Sequence, residues 1–187
     1  MKPEILLRRS LCAMLAFAAG VFAGCSSCKP GKSSGSPLSY TLNVAPGESL
    51  QNSSVAVDIV GINPSELEKW RSYSLKKYFT PGDTLRQDAS KVTANFAPGP
   101  QTPFVIKKLD PQWDKWLKSG VQYLVVVADL PGVYEEGKAG TQDPRRQLVP
   151  LCKCYWPGGT KDLNLKVQAG GVTLLTTPRE GWSLPSW

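Results

Sequence analysis

The chain has 187 residues, a formal charge of +7, five cysteines and no histidine. Without an imidazole there is no Ser-His-Asp or Cys-His catalysis, no His-ligated zinc and no ordinary neutral-pH base. The basic pairs Lys76-Lys77, Lys107-Lys108 and Arg145-Arg146 are isolated, so the charge reads as a solvated face and nucleic-acid binding is set aside.

Lys2, Arg8 and Arg9 precede an apolar run from Leu11 to Phe22, which meets Ala23-Gly24-Cys25. Charge, a short apolar core and small residues at a cut are the layout of a cleaved signal peptide, here residues 1–24. A membrane-spanning helix would need about 20 apolar residues, more than the run supplies. The small pair before a cysteine resembles the bacterial lipobox, with Phe22 where Leu is usual. That resemblance implies a diacylglycerol on the Cys25 thiol. Cys28 is the competing anchor, but Ser26-Ser27 is a poorer lead-in and lies farther from the apolar core. Several buried acyl chains, at about 0.8 kcal/mol per CH₂, hold such a protein to a membrane. Ser26, rather than Asp, after the anchor points by the same resemblance to the outer membrane. Loss of the signal, with Lys2, Arg8, Arg9 and Glu4, leaves a charge of +5.

Residues 25–37 are the anchor and a Ser/Gly/Pro/Lys tether with too few apolar side chains to fold, expected to act as a flexible spacer. A single domain is expected over 38–178, with a tail over 179–187. Ser39 to Val44 alternates as a strand, Ala45 to Ser53 is a turn-rich loop, and Ser54 to Ile62 is a second strand with Val55, Val57 and Ile59 on one face. Ser65 is the expected cap of a short helix carrying Glu66, Glu68, Leu67 and Trp70, followed by an irregular stretch through Phe79 and Pro81-Gly82-Asp83. Val92 to Phe96 and Phe104 to Leu109 read as strands. Asp110-Pro111 opens a helical turn bearing Trp113 and Trp116, which Gly120 ends. Val121 to Leu130 is the most apolar strand and the expected centre of a sheet. Pro131 to Pro144 is a long loop, Arg146 to Trp156 another strand, and Leu163 to Val167 with Val172 to Thr176 a closing hairpin. About seven short strands with Gly/Pro turns and little helix indicate an all-β, two-sheet β-sandwich with short helical insertions.

Cys152 and Cys154, on a strand, would face the same way with Cα atoms roughly 6.6 Å apart, near the outer limit for a disulfide. A bond from Cys28 to either would staple the tether to the domain. Free thiols and a metal or redox role are the alternatives, although zinc would want a fourth ligand that is not evident. Glu135-Glu136, the candidate carboxylates for a histidine-free glycosidase, are adjacent in a Gly-rich loop and read as solvated charge. Trp70, Tyr73, Tyr78, Trp113 and Trp116 cluster near the helical segments. They read as core, with a glycan- or peptide-binding strip as the other possibility.

Taken together, the lipobox, the Ser-rich tether, Leu42-Asn43-Val44, the strand 55–60 and the insertion with Trp70, Tyr73-Ser74-Leu75 and Tyr78-Phe79 form a recognisable order. Phe104-Val105-Ile106, Leu109-Asp110, the strand 123–128, Arg145 to Leu151 and Gly171-Val172-Thr173-Leu174 continue it. This order resembles the TssJ-type outer-membrane lipoproteins of the type VI secretion system (VasD- or SciN-like). The resemblance implies a transthyretin-like sandwich, no enzyme activity, no metal, no small-molecule substrate and no cofactor besides the lipid on Cys25. It also implies a partner, a TssM-like inner-membrane protein, gripped by the loop between the first two strands. Here that loop carries Gly47, Glu48, Ser49, Leu50, Gln51 and Asn52, with Leu50 either a partner anchor or tucked onto the sandwich. The long insertion after the second strand, the Cys152-Lys153-Cys154 pair and a tail with Trp182 and Trp187 depart from the family pattern.

Overall fold

The computed structural model describes residues 35–132, 134 and 142–182. Among these residues eight strands form two four-stranded sheets. One contains β1 (Thr41–Pro46), β4 (Phe104–Ile106), β7 (Asp162–Gln168) and β8 (Gly171–Leu174), in the order β4-β1-β7-β8. The other contains β2 (Val55–Ile62), β3 (Lys91–Phe96), β5 (Tyr123–Ala128) and β6 (Arg146–Pro150), in the order β3-β2-β5-β6. Strand β1 runs parallel to β7, and the other pairings are antiparallel. As the apolar pattern indicates, β5 lies inside its sheet, between β2 and β6.

Alternation explains the core. Leu42, Val44, Leu163, Leu165 and Val167 of the first sheet meet Val57, Ile59, Leu124, Val126 and Val149 of the second in one buried cluster. The opposite face of the second sheet is covered as well. Val60, Ile62, Val125, Val127 and Leu148 pack there against Trp70, Leu75, Tyr78 and Leu85. These last four come from the β2–β3 connection, which holds α1 (Leu67–Ser72), α2 (Leu75–Tyr78) and α3 (Thr84–Asp88). With both faces covered, β5 is buried at every position, which is why it reads as a continuous apolar run.

Asp58 fastens this insertion to the sheet. Its fully buried carboxylate accepts hydrogen bonds from the Tyr78 hydroxyl (3.0 Å), Arg86 Nε (2.8 Å) and Thr93 Oγ1 (2.6 Å). Three donors, one of them the Arg86 cation, satisfy a charge that would otherwise be costly to bury.

Several expectations are corrected. The cap at the start of the insertion is Asn63, not Ser65. Asn63 accepts from Ser65 N, and Glu66 reaches back to Asn63 N (2.9 Å), a capping box over a 3₁₀ turn at Pro64–Glu66. The stretch expected to be irregular contains α2, capped by Ser74, and α3, capped by Asp83, follows it directly. Strand β4 stops at Ile106, three residues before Leu109. The strand expected through Trp156 stops at Pro150, and a 3₁₀ turn follows at Lys153–Tyr155. Helix α4 (Pro111–Lys118) starts at Asp110 as expected, with the Asp110 side chain accepting from Gln112 N.

Candidate partner interface at the loop end

Strand directions give the sandwich two unlike ends. Chain leaving the tether enters β1 at Thr41 and reaches the far end at Pro46. The β1–β2, β3–β4, β5–β6 and β7–β8 connections therefore gather at that far end. Residues 35–40, the β2–β3, β4–β5 and β6–β7 connections and the segment after β8 gather at the near end.

At the far end the β1–β2 loop is held from three sides. Gly47 N donates to Val167 O (2.7 Å), Ala169 N donates to Ser49 Oγ (3.0 Å), and Gly99 N donates to Gln51 O (2.7 Å). Glu48–Leu50 forms a 3₁₀ turn. Gly47 allows this close approach: a Cβ there would sit 2.8 Å from Gln168 Cγ and 3.2 Å from Val167 O, so the Gln168 side chain would have to move. Leu50 points inward and is fully buried in the inter-sheet core. Of the two roles open to it, the structure shows the tucked one. Glu48, Ser49, Gln51 and Asn52 are exposed. The loop thus offers solvent a polar surface of fixed shape, with one charge.

Two neighbours of this surface were not identified from the sequence. Residues 97–101 flank it, with Gln101 Nε2 donating to Ala97 O (2.7 Å). The β7–β8 turn flanks it on the other side and accepts a hydrogen bond from the Tyr134 hydroxyl at Ala169 O (2.6 Å). The run Ala97-Pro98-Gly99-Pro100 was a readable turn signal, but nothing in the sequence ties it to residue 51.

The near end carries the cysteines. Pro37 forms a bridge with Cys152, and Leu38 N donates to Leu151 O (3.0 Å). Cys152 and Cys154 lie in a turn rather than on a strand. Cys152 is a free, buried thiol, whereas Cys154 is disulfide-bonded. The buried Tyr40 phenol is pushed above its usual pKa by burial and by the neighbouring Cys152. Arg179 N donates to Tyr155 O (2.7 Å), and the Trp182 ring meets Tyr155 edge-on at 5.0 Å, so the start of the tail docks here. Cys25, Cys28, Glu135, Glu136 and Trp187 lie outside the described residues.

Four of the five aromatics of the expected strip are buried, and the fifth, Tyr73, is half-buried with its hydroxyl donating to Asp83 Oδ2 (2.6 Å). Trp70, Trp113, Trp116 and Tyr78 are at most 1% exposed. Trp113 and Trp116 spend their indole N–H groups on Lys107 O and Ser90 O. Among the described residues, no group of three or more His, Cys, Asp or Glu side chains is placed to hold a metal, and no helix is long and apolar enough to cross a membrane.

These features define a two-sheet β-sandwich with a helical insertion and a compact, polar loop end. Among solved structures the chain is similar to the type VI secretion lipoprotein TssJ1 from Pseudomonas aeruginosa, at 15% identity over 78% of this chain and 98% of that one, with a TM-score of 0.46. It is also similar to Serratia marcescens Lip, a membrane-bound component of the type VI secretion system, at 9% identity over 73% and 96%, with a TM-score of 0.45. A chain of a type VI membrane complex aligns at 16% identity over 74% and 98%, with a TM-score of 0.48. No protein-family model matches the chain, and no curated protein matches it.

Proposed function

We propose that this chain is a non-enzymatic adaptor of a type VI secretion membrane complex. Acyl chains on Cys25 hold it to the periplasmic face of the outer membrane. The far-end loop, through Glu48, Ser49, Gln51 and Asn52, grips the periplasmic part of a TssM-like inner-membrane protein. The observation that carries this reading is the opposition of the two ends: a chain anchored before β1 presents its β1–β2 loop away from the anchor. The braced loop supports it further, because a surface of fixed shape loses little entropy on binding. The sequence resemblance to TssJ-type lipoproteins supplies the nature of the partner.

The test is recovery of the membrane-anchored chain from its own cells, with mass spectrometry of what accompanies it. A large inner-membrane protein with a periplasmic C-terminal domain is expected, and it is expected to disappear when Glu48, Gln51 and Asn52 are changed together to Ala. Recovery without any such protein would refute the adaptor role.

A further inference from the structure

We propose that the partner of Cys154 is Cys28, and that this disulfide fixes how far the sandwich stands from its anchor. Cys154 is disulfide-bonded while Cys152, two residues away, is a free thiol, so the bond is not the local one. The remaining cysteines are Cys12, Cys25 and Cys28. The inference rests on the lipoprotein reading, in which Cys12 leaves with the signal and the Cys25 sulfur is consumed in a thioether to diacylglycerol. Cys28 is then the one thiol left.

The geometry at the near end agrees. Residues 35–38 run antiparallel past Leu151 and Cys152. Gly35 lies against the two sulfurs: a Cβ added there would meet Cys152 Sγ and would sit 3.0 Å from Cys154 Sγ. Gly35, the first described residue, therefore lies beside Cys154. Seven Cα–Cα steps lead from Cys28 to Gly35, a reach of at most about 25 Å, so no long excursion is needed to close the bond.

The bond forms by oxidation of two thiols. Cys28 and Cys154 together lose two protons and two electrons as the S–S bond is made. The electrons pass by thiol–disulfide exchange to the disulfide of a dithiol oxidant protein, which leaves as the dithiol. The consequence is mechanical. Without the bond, the ten residues from Cys25 to Gly35 allow the domain to sit up to about 35 Å from the anchor. With it, the three residues from Cys25 to Cys28 allow only about 10 Å. The near end is then held against the membrane and the far end is directed away from it.

Trypsin separates the two domain cysteines, because cleavage at Lys153 leaves Cys152 in peptide 147–153 and Cys154 in peptide 154–161. The full chain is extracted from membranes, alkylated before any reduction and digested. The expected product is peptide 154–161 joined to peptide 25–32 through Cys28, with lipid on Cys25, and separated by reductant. Cys28→Ser is expected to keep the lipid and to leave Cys154 open to alkylation. A protease cut at Lys32 is expected to release the wild-type domain from membranes only when reductant is added. Lipid on Cys25 together with an alkylated Cys154, or a bond from Cys28 to Cys152, overturns the disulfide alone. A bond from Cys154 to an unlipidated Cys25 overturns the lipoprotein reading with it.

Discussion

Leu50→Ala separates the two meanings a lone apolar residue in a polar loop can have. Leu50 is 0% exposed and lies in the cluster between the sheets. Truncating a leucine so placed removes its transfer free energy and leaves a cavity, at a cost of about 2–5 kcal/mol. For a domain of this size each kcal/mol lowers the melting temperature by about 2–4 °C, so a fall near 10 °C is expected. Circular dichroism melts of the detergent-solubilised chain measure it. Well below the transition, affinity for the partner should stay within a few-fold of the parent, because the exposed surface belongs to Glu48, Ser49, Gln51 and Asn52. Alanine at Glu48, Gln51 and Asn52 should do the reverse, moving stability by no more than about 0.5 kcal/mol each while removing the partner. A Leu50→Ala chain with an unchanged melt and no partner would mean that Leu50 leaves the core to bind, and the argument from burial would fail.

Asp58→Ala removes the acceptor shared by Tyr78, Thr93 and Arg86. It should cost about 3–5 kcal/mol in urea unfolding, against roughly 1 kcal/mol for Thr93→Val. Burial, reinforced by the Asp58 carboxylate, raises the Tyr78 pKa above its ordinary value of 10.0. A raised pKa in the folded state gives stability that is complete below pH 10 and is lost above it, as the unfolded chain ionises and the folded one does not. Unfolding free energy should therefore fall with pH above about 10, and the slope should flatten in Tyr78→Phe. Gly61→Ala would drive a methyl to within 2.5 Å of Trp116 Cδ1 and 2.9 Å of its Cγ, both in a fully buried ring. A loss of about 1–3 kcal/mol is expected, and thermal melts of the variant decide it.

The legible parts of this fold were those with a strict period or a complete local signal. Alternation placed β2 within one residue, and Ala169-Gly170-Gly171 marked the β7–β8 turn. Asp110-Pro111 carried the whole start of α4 in two residues. What was misread had either too little length or a competing signal. Helices α2 and α3 have four and five residues, too short for a 3.6-residue period to show, and they persist because Leu75, Tyr78 and Leu85 bury against the sheet. At the start of the insertion Ser65 competed with Asn63. Asn63 wins because Pro64 follows it and Glu66 stands where it can close the box. The run 146–156 looked like one strand because its second half, Lys153 aside, is also buried, yet the ladder ends at Pro150. At the candidate site the loop was found, but its bracing was not. Gly99 and Ala169 lie far from residues 49–51 in the chain, and such contacts leave no mark on local pattern.

The order of connections makes a sharper demand on function than any single residue. The helical additions among the described residues lie mostly at the near end: α1–α3 between β2 and β3, α4 between β4 and β5, and the cysteine-bearing turn between β6 and β7, with the docked tail beside them. The β1–β2 and β7–β8 connections at the far end are short and tied to each other through Ser49 and Ala169. Strands of six to eight residues separate these ends by about 20 Å. If the far end is the gripping surface, its shape matters and the near end has room to vary. A Gly-Ser pair inserted between Gln51 and Asn52 should then abolish partner recovery, because it releases Gly99 from Gln51 O and lets the loop spread. The same pair inserted between Gly158 and Gly159 should leave recovery intact, since neither glycine would press an added Cβ on any neighbour. Both insertions should fold, as surface loops tolerate added length at a cost of roughly 1 kcal/mol. Equal loss at both positions would place the grip elsewhere on the sandwich.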